Sequence, residues 1–348
     1  MLTTFINELT QLSSRGILVL EDYHDITARQ VHETVTFLLD HLPATLHLII
    51  ITRSDPPLPL ARLRARNELS ELRAADLRFS LAETETFLQQ AIQFPLSSGA
   101  ITRLDARTEG WVAGLRLVAL ALQGRQEPQE VEQFLTTFAG SHRHILEYLA
   151  AEVLSAQSES LQEFLLQTSF LSRLTGSLCD AVTGRNDSAI ILEQLERINL
   201  FLVPLDETQQ WYRYHALFAE AMHHYARRRF GEACLRSLYD KAGRWYEQHG
   251  LLAEAVEATL SAQDLGRAAI LIERIIELHR FNNELHTLRR WIEQLPEELL
   301  RTHPTLCFTY ALAILFTEDR RAPAVVALLQ TPGTNSPART TVGRAPPR

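Results

Sequence analysis

The chain has 348 residues, 46% hydrophobic and 22% charged, which is enough for two or three domains with real cores. A formal net charge of -8 and a pI of about 5.9 exclude a basic body built to neutralise nucleic-acid phosphates. The three cysteines, Cys179, Cys234 and Cys307, are far apart and lack Cys-X-X-Cys spacing, which excludes a disulfide framework and a zinc knuckle; they read as small core residues in a reducing compartment.

The N-terminus, MLTTFINELT, contains an acid and no long apolar core, so it does not read as a signal peptide. The longest apolar runs are too short for a membrane span or are interrupted by Arg, and the expected location is the cytoplasm. Residues 17–21 (ILVLE) and 46–52 (LHLIIIT) read as strands buried on both faces. Between them Val31, Val35, Leu38, Leu39 and Leu42 have helical spacing over 28–42, which makes a βαβ unit.

From about residue 80 the pattern turns helical. Ser80 with Glu83 predicts a capping box at the head of SLAETETFLQQAI, and TEGWVAGLRLVALALQ reads as a second, largely buried helix. Residues 131–155, 158–170 and 188–199 give further helices. LFLVPLD and WYRYH then read as a short hairpin with DETQQ as its turn, and helices followed by a hairpin suggest a winged helix; an irregular loop with two apolar patches is the plainer alternative. Residues 234–330 are helical again, with Ala242, Gly243, Ala255, Ala258, Ala268 and Ala269 at expected close crossings and Tyr239, Trp245 and Tyr246 between them, a pattern of tetratricopeptide-like helix pairs. The final TPGTNSPARTTVGRAPPR has almost nothing to bury and is expected to be disordered.

Two motifs carry chemistry. LVLEDYHDI is an apolar strand tipped by Glu21 and Asp22; at the C-terminal edge of a parallel sheet, one carboxylate can hold a magnesium ion and the other polarise a water. ITRSDPP places Arg53 at the same edge of the next strand, where a guanidinium can pair with phosphate oxygens, and Pro56 and Pro57 end that strand. Taken singly, each also fits a strand running into a polar loop. The alternating Arg62, Arg64 and Arg66 read as a solvated face tied to Glu68 and Glu71.

LVLEDYHDI, IIITRSDPPLPLARLRARNELSELRAADLRFSLAETETFL, TEGWVAGLRLVALAL, LEQLERINLFLVPLD and WYRYHALFAEAM, in this order, resemble the MalT-like regulators, large ATP-binding LuxR-type transcriptional regulators among the STAND ATPases. The resemblance covers roughly residues 10–330. It implies a mainly α chain with an N-terminal partial α/β P-loop NTPase sheet, followed by a winged helix and tetratricopeptide-like α-helical repeats. The implied domains are a partial ATPase core over 1–79, a helical arm over 80–155, a winged helix over 156–230, repeats over 231–330 and a tail over 331–348. Glu21 and Asp22 are similar to Walker B acids, where the family more often has Asp-Asp, and Arg53 to the sensor arginine. Gly114 and Leu115 fall at the family's Gly-Leu-Pro turn, with Arg116 in place of proline. His215 resembles the winged-helix histidine that touches the nucleotide diphosphate; a histidine packed among aromatics is the alternative. Trp111 reads as core.

The family pattern opens with a glycine-rich loop ending Gly-Lys-Ser/Thr, whose lysine and backbone N–H groups hold the phosphates. This sequence contains no Gly-Lys pair, its one lysine being Lys241, and no basic helical segment follows residue 330. The expectation is a partial regulator without ATPase or DNA-binding activity of its own. ATP or ADP and magnesium belong to intact relatives, as does self-association, and neither nucleotide nor metal is expected to bind tightly here. The alternative is a non-catalytic helical-repeat module that binds a protein or a small inducer. No membrane partner is expected.

Overall fold

The computed structural model describes residues 15–92, 96–122, 142–278 and 285–316, together with Ile6, Glu8, Phe134, Phe138 and Gly140. The chain divides into two compact units, Met1–Asp180 with Gly184–Arg229, and Ala181–Thr183 with Phe230–Arg348. Most described residues are helical.

The first unit opens on strand β1 (Gly16–Leu20), helix α1 (Arg29–Asp40) and strand β2 (Leu46–Ile50). The strands pair in parallel, with Gly16 opposite Leu46 and Leu20 opposite Ile50, as the βαβ reading expects. The ladder continues past the strand ends: Ile51 N–H donates to the Leu20 carbonyl at 2.9 Å and Tyr23 N–H to the Ile51 carbonyl at 3.1 Å. The expected burial on both faces does not hold. Side chains alternate across a strand, and one set, Ile17, Val19, Ile49 and Ile51, is 65%, 48%, 45% and 47% exposed. Among the described residues nothing covers that face, whereas Leu46 on the other side is buried.

Helix α2 (Leu60–Ala65) follows. Arg64 pairs bidentately with Glu71, both contacts at 2.8 Å, as the charge pattern suggests. Arg62 pairs instead with Asp40 at 2.6 Å, and Arg73 joins Asp55 to Glu71. This ion-paired loop leads into α3 (Leu81–Ala91), capped by the expected box: Ser80 Oγ accepts from Glu83 N–H, and the Glu83 carboxylate accepts from Ser80 N–H at 2.8 Å. Helices α4 (Ser98–Thr108) and α5 (Val112–Leu122) complete this part.

The segment TEGWVAGLRLVALALQ is not one helix. Glu109 (φ 50) and Gly110 (φ 69) take left-handed backbone, and α5 starts only at Val112. The break has a tertiary cause. Phe79 N–H donates to the Gly110 carbonyl at 2.9 Å, and a Cβ on Gly110 would lie 2.3 Å from the Phe79 carbonyl oxygen. Helix α6 (Arg143–Tyr148) runs on into a π-helical turn, Leu149–Leu154; residues 131–133, 135–137, 139 and 141 of the expected helix lie outside the described residues.

Helices α7 (Glu159–Thr168), α8 (Gly176–Thr183) and α9 (Ser188–Arg197) precede the expected hairpin. Strands β3 (Leu202–Pro204) and β4 (Tyr212–Tyr214) are antiparallel, with Leu202 opposite Tyr214. Leu174 adds an isolated bridge to Tyr212, and the Thr168 and Tyr214 hydroxyls are hydrogen-bonded at 2.8 Å. Phe164, Leu165, Leu174, Leu178, Cys179, Leu195, Leu217 and Phe218 form the core of this winged helix.

The helical segment α10 (Ala216–Gln248) is interrupted at Gly231 (φ 75, ψ 168). The second unit then holds its later part with α11 (Leu252–Ser261), α12 (Leu265–Leu278), α13 (Leu285–Ile292), α14 (Glu297–Thr302) and α15 (Pro304–Phe316). Small residues do mark a close approach. A Cβ on Gly243 would stand 3.0 Å from Thr259 Oγ1, and Ala242, Ala255, Ala268 and Ala269 are fully buried. Cys179 is buried and burial pushes its thiol up, but Cys234 is exposed on α10, so the core reading fails for it. The tail over 331–348 lies outside the described residues. Among the described residues no helix is long and apolar enough to cross a membrane.

Candidate functional site

The parallel pair brings three of the candidate residues to one sheet edge. β1 runs out into Glu21 and Asp22, β2 into Arg53, and the Tyr23–Ile51 hydrogen bond ties the two exits together. All three side chains are exposed, and Asp22 has left-handed backbone (φ 50) where the strand turns into a short 3-10 helix, Tyr23–Asp25. Among the described residues no group of three or more His, Cys, Asp or Glu side chains is placed to hold a metal ion. Two carboxylates suit a magnesium ion that takes its remaining oxygens from phosphate and water.

The winged helix reaches this edge. Asn199, also left-handed (φ 51), donates from Nδ2 to the Arg53 carbonyl at 3.1 Å. Phe201 N–H donates to the Asn199 carbonyl at 3.0 Å, and His215 N–H to the Phe201 carbonyl at 2.8 Å. Three hydrogen bonds thus lead from Arg53 to His215.

His215 is only 3% exposed. Its Nε2–H donates to the Thr108 carbonyl at 2.8 Å, which fixes the tautomer, while the buried Nδ1 has no hydrogen-bond partner. Its ring lies edge-on to Trp111 (5.8 Å between centroids) and to Phe201 (5.8 Å). Burial pushes its pKa down, and the Glu109 carboxylate and the Thr108 carbonyl pull the other way. The ring is packed among aromatics and keeps one ring nitrogen uncommitted.

Gly114 is buried on α5, and the Trp111 ring explains why it is glycine, since a Cβ would stand 2.6 Å from Trp111 Cε3. Leu115 is fully buried, Arg116 exposed and Trp111 half-buried.

The most connected ionisable group of this region is one the sequence did not single out. Glu109, at the left-handed turn after α4, has a side chain only 13% exposed. Its carboxylate accepts from Arg213 Nη1 and Nη2 at 2.7 and 2.9 Å, from the Ala216 backbone N–H at 3.0 Å, and from Arg78 Nη1 at 3.3 Å. Burial raises its pKa, but the Arg213 hydrogen bonds, the Ala216 N–H and the nearby charges outweigh this and draw it down to about 2. Glu109 caps the N-terminus of α10 and clamps the β4 strand to the α4–α5 corner. Residues 109 and 213 share no sequence signal that would pair them; the only local hint was an acid directly before Gly-Trp.

A model of the MalT winged helix domain matches residues 150–234. Over these residues the chain is similar to the winged-helix domain of the MalT regulators. HTH-type transcriptional regulator MalT of Vibrio campbellii is 32% identical over 307 residues, covering 86% of this chain and 33% of that protein. MalT of Yersinia pestis is 33% identical over 306 residues, covering 87% and 33%. Serine/threonine-protein kinase PknK of Mycobacterium tuberculosis is 32% identical over 327 residues, covering 94% and 29%. The chain therefore spans about a third of the length of these curated relatives. A STAND protein with a tetratricopeptide repeat sensor from Pyrococcus horikoshii covers 94% of this chain and 45% of its own, at 14% identity and a TM-score of 0.40, too weak a likeness to define the fold.

Proposed function

We propose that these 348 residues are the central portion of a MalT-like signal-transduction ATPase of the LuxR type. The portion comprises part of a P-loop NTPase sheet, a helical arm, the winged helix and tetratricopeptide-like repeats. In this reading Glu21 and Asp22 hold magnesium, Arg53 meets the terminal phosphate, Gly114 lies near the nucleotide, and His215 offers its free ring nitrogen toward the diphosphate. A bound nucleotide would supply the charge that decides whether the winged helix stays on the sheet edge. In longer relatives its exchange would release self-association.

The observation that carries the reading is the junction at the sheet edge, where winged-helix Asn199 donates to the Arg53 carbonyl. The open apolar face of β1 and β2 supports a further layer packed on this sheet, because parallel sheets are normally covered on both sides. MalT and PknK share this region despite different names, which supports a switch module over a catalytic centre of either kind.

By themselves the 348 residues neither bind ATP tightly nor hydrolyse it, since phosphate affinity in such sites comes mainly from a Gly-Lys loop and they contain no Gly-Lys pair. Titration calorimetry of the purified chain with ATP and magnesium tests this; micromolar affinity sinks it. The second reading, a helical module that binds a protein or a small inducer in the cytoplasm, is favoured by Ile270, Leu278 and Phe308, which are 60%, 63% and 57% exposed in the second unit. Saturable binding of a partner, abolished by polar substitutions at those three residues, would support it.

A further inference from the structure

His215 lies where the winged helix meets the α4–α5 corner, and its surroundings oppose a second ring proton. Its Nε2 faces the Thr108 carbonyl, which can only accept, so Nε2 carries the hydrogen of the neutral ring. A second proton must go to Nδ1, which is buried and has no hydrogen-bond partner. Trp111 and Phe201 lie beside the ring and bring no oxygen acceptor. Among the described residues the charged groups that face the ring are Glu109, Arg213 on β4, and Arg78 ahead of α3. Both guanidiniums are bonded to Glu109, whose carboxylate also accepts from Ala216 N–H. An imidazolium would be a third cation beside one carboxylate. It would also stand directly before Ala216, the first residue of α10, and a helix N-terminus disfavours positive charge. Burial accordingly pushes the His215 pKa down, against the pull of Glu109 and the Thr108 carbonyl.

We propose that His215 is a proton-operated release for the winged helix: a proton on Nδ1 lifts the β4–α10 corner off Thr108 and Glu109 while the winged helix itself stays folded. A buried cation with an unpaired N–H is costly, and release lets water solvate it. The contacts that must part are few and polar. They are His215 to Thr108, Arg213 and Ala216 to Glu109, and Asn199 to the Arg53 carbonyl. Beneath them the winged helix keeps its own ties, with Leu174 and Tyr212 exchanging both backbone hydrogen bonds at 2.8 and 2.9 Å. The released form binds the proton more tightly than the closed form. Release therefore grows as pH falls below the ordinary histidine value of 6.5, by at most about tenfold per pH unit for one proton. The proton acts without nucleotide, so the proposal does not rest on the nucleotide reading of Glu21, Asp22 and Arg53.

The test is native-state amide exchange of the full chain between about pH 8 and pH 5, the range in which histidine titrates. Rates are read by mass spectrometry and corrected for the intrinsic pH dependence of exchange. The Ala216 N–H reports the junction, because it donates to Glu109. The Leu174 and Tyr212 N–H groups report the winged-helix core. Protection at Ala216 should be flat above 6.5 and fall below it by up to about tenfold per pH unit. Protection at Leu174 and Tyr212 should hold. His215→Gln keeps an amide able to donate to the Thr108 carbonyl but cannot titrate, and should abolish the slope. His215→Phe, which lacks the donor as well, should abolish it too. Protection at Ala216 that ignores pH overturns the proposal. So does a loss at Leu174 and Tyr212 in step with Ala216, which is unfolding and not release, or a slope that survives in either variant.

Discussion

At the scale of single residues, Glu109 governs the winged-helix contact more directly than any residue with a family motif. Replacing it by Gln keeps the shape but removes a charge that accepts four hydrogen bonds, and should cost about 2 kcal/mol in urea unfolding, within the range for hydrogen bonds to charged groups. The pH dependence has a fixed sign. The folded pKa is drawn below the ordinary carboxylate value of 4.5 to about 2, so the stability is present above that range and is lost as pH falls from 4.5 toward about 2. Stability measured against pH should lose this acid limb in Glu109→Gln.

His215 works in the same direction in a higher window. Burial lowers its folded pKa, so the unfolded chain takes up the proton first as pH falls below 6.5, and stability declines there. The chain has thirteen histidines, so the readout is the difference between parent and His215→Phe, which should slope below 6.5 and be flat above it. Glu109 holds the His215 pKa up, so in the Glu109→Gln background the same difference should still begin at 6.5, where the unfolded chain titrates, but extend to lower pH. A difference curve that levels off at the parent's pH would separate the two groups and refute the clamp.

At the scale of elements, what was legible followed from local rules. The Ser80–Glu83 box, the spacing of α1 and the DETQQ turn between β3 and β4 each depend on residues a few positions apart. The break at Glu109–Gly110 does not. The run TEGWVAGLRLVALALQ has helical period throughout, and what stops the helix is Phe79, thirty-one positions back from Gly110. The Glu109–Arg213 clamp was illegible for the same reason, while the Glu21, Asp22 and Arg53 edge could be read because strand ends in a parallel pair are placed by topology. The glycine break makes a paired prediction. Gly110→Ala would place a methyl against the Phe79 backbone and should cost about 3 kcal/mol or more, the scale of a severe steric and left-handed clash. Gly184→Ala, at an equally left-handed helix end (φ 78) with open space around it, should cost only about 1 kcal/mol. Chemical unfolding of the two variants separates a turn held by a neighbour from one that needs only the backbone angle.

At the scale of the whole molecule, the first unit exposes something a settled protein surface seldom has. Ile17, Val19, Ile49 and Ile51 form one continuous β-branched face on a two-stranded parallel sheet. The sequence signalled strands covered on both sides, and the composition of the strands is that of a buried sheet; the number of neighbours is what a strand's own residues do not encode. Exposed edges and apolar faces of this kind promote association between chains. If the face is open in solution, Ile17→Thr with Ile51→Thr should change unfolding free energy by less than about 0.5 kcal/mol, as substitutions at exposed sites do. It should also raise the concentration at which light scattering detects aggregates. If other polypeptide lies on the face, each substitution should instead cost about 1.5–3 kcal/mol, the value of a buried aliphatic side chain, and solubility should fall. The two outcomes differ in sign for solubility and severalfold in stability, so one pair of variants decides whether the sheet is finished by what these residues contain.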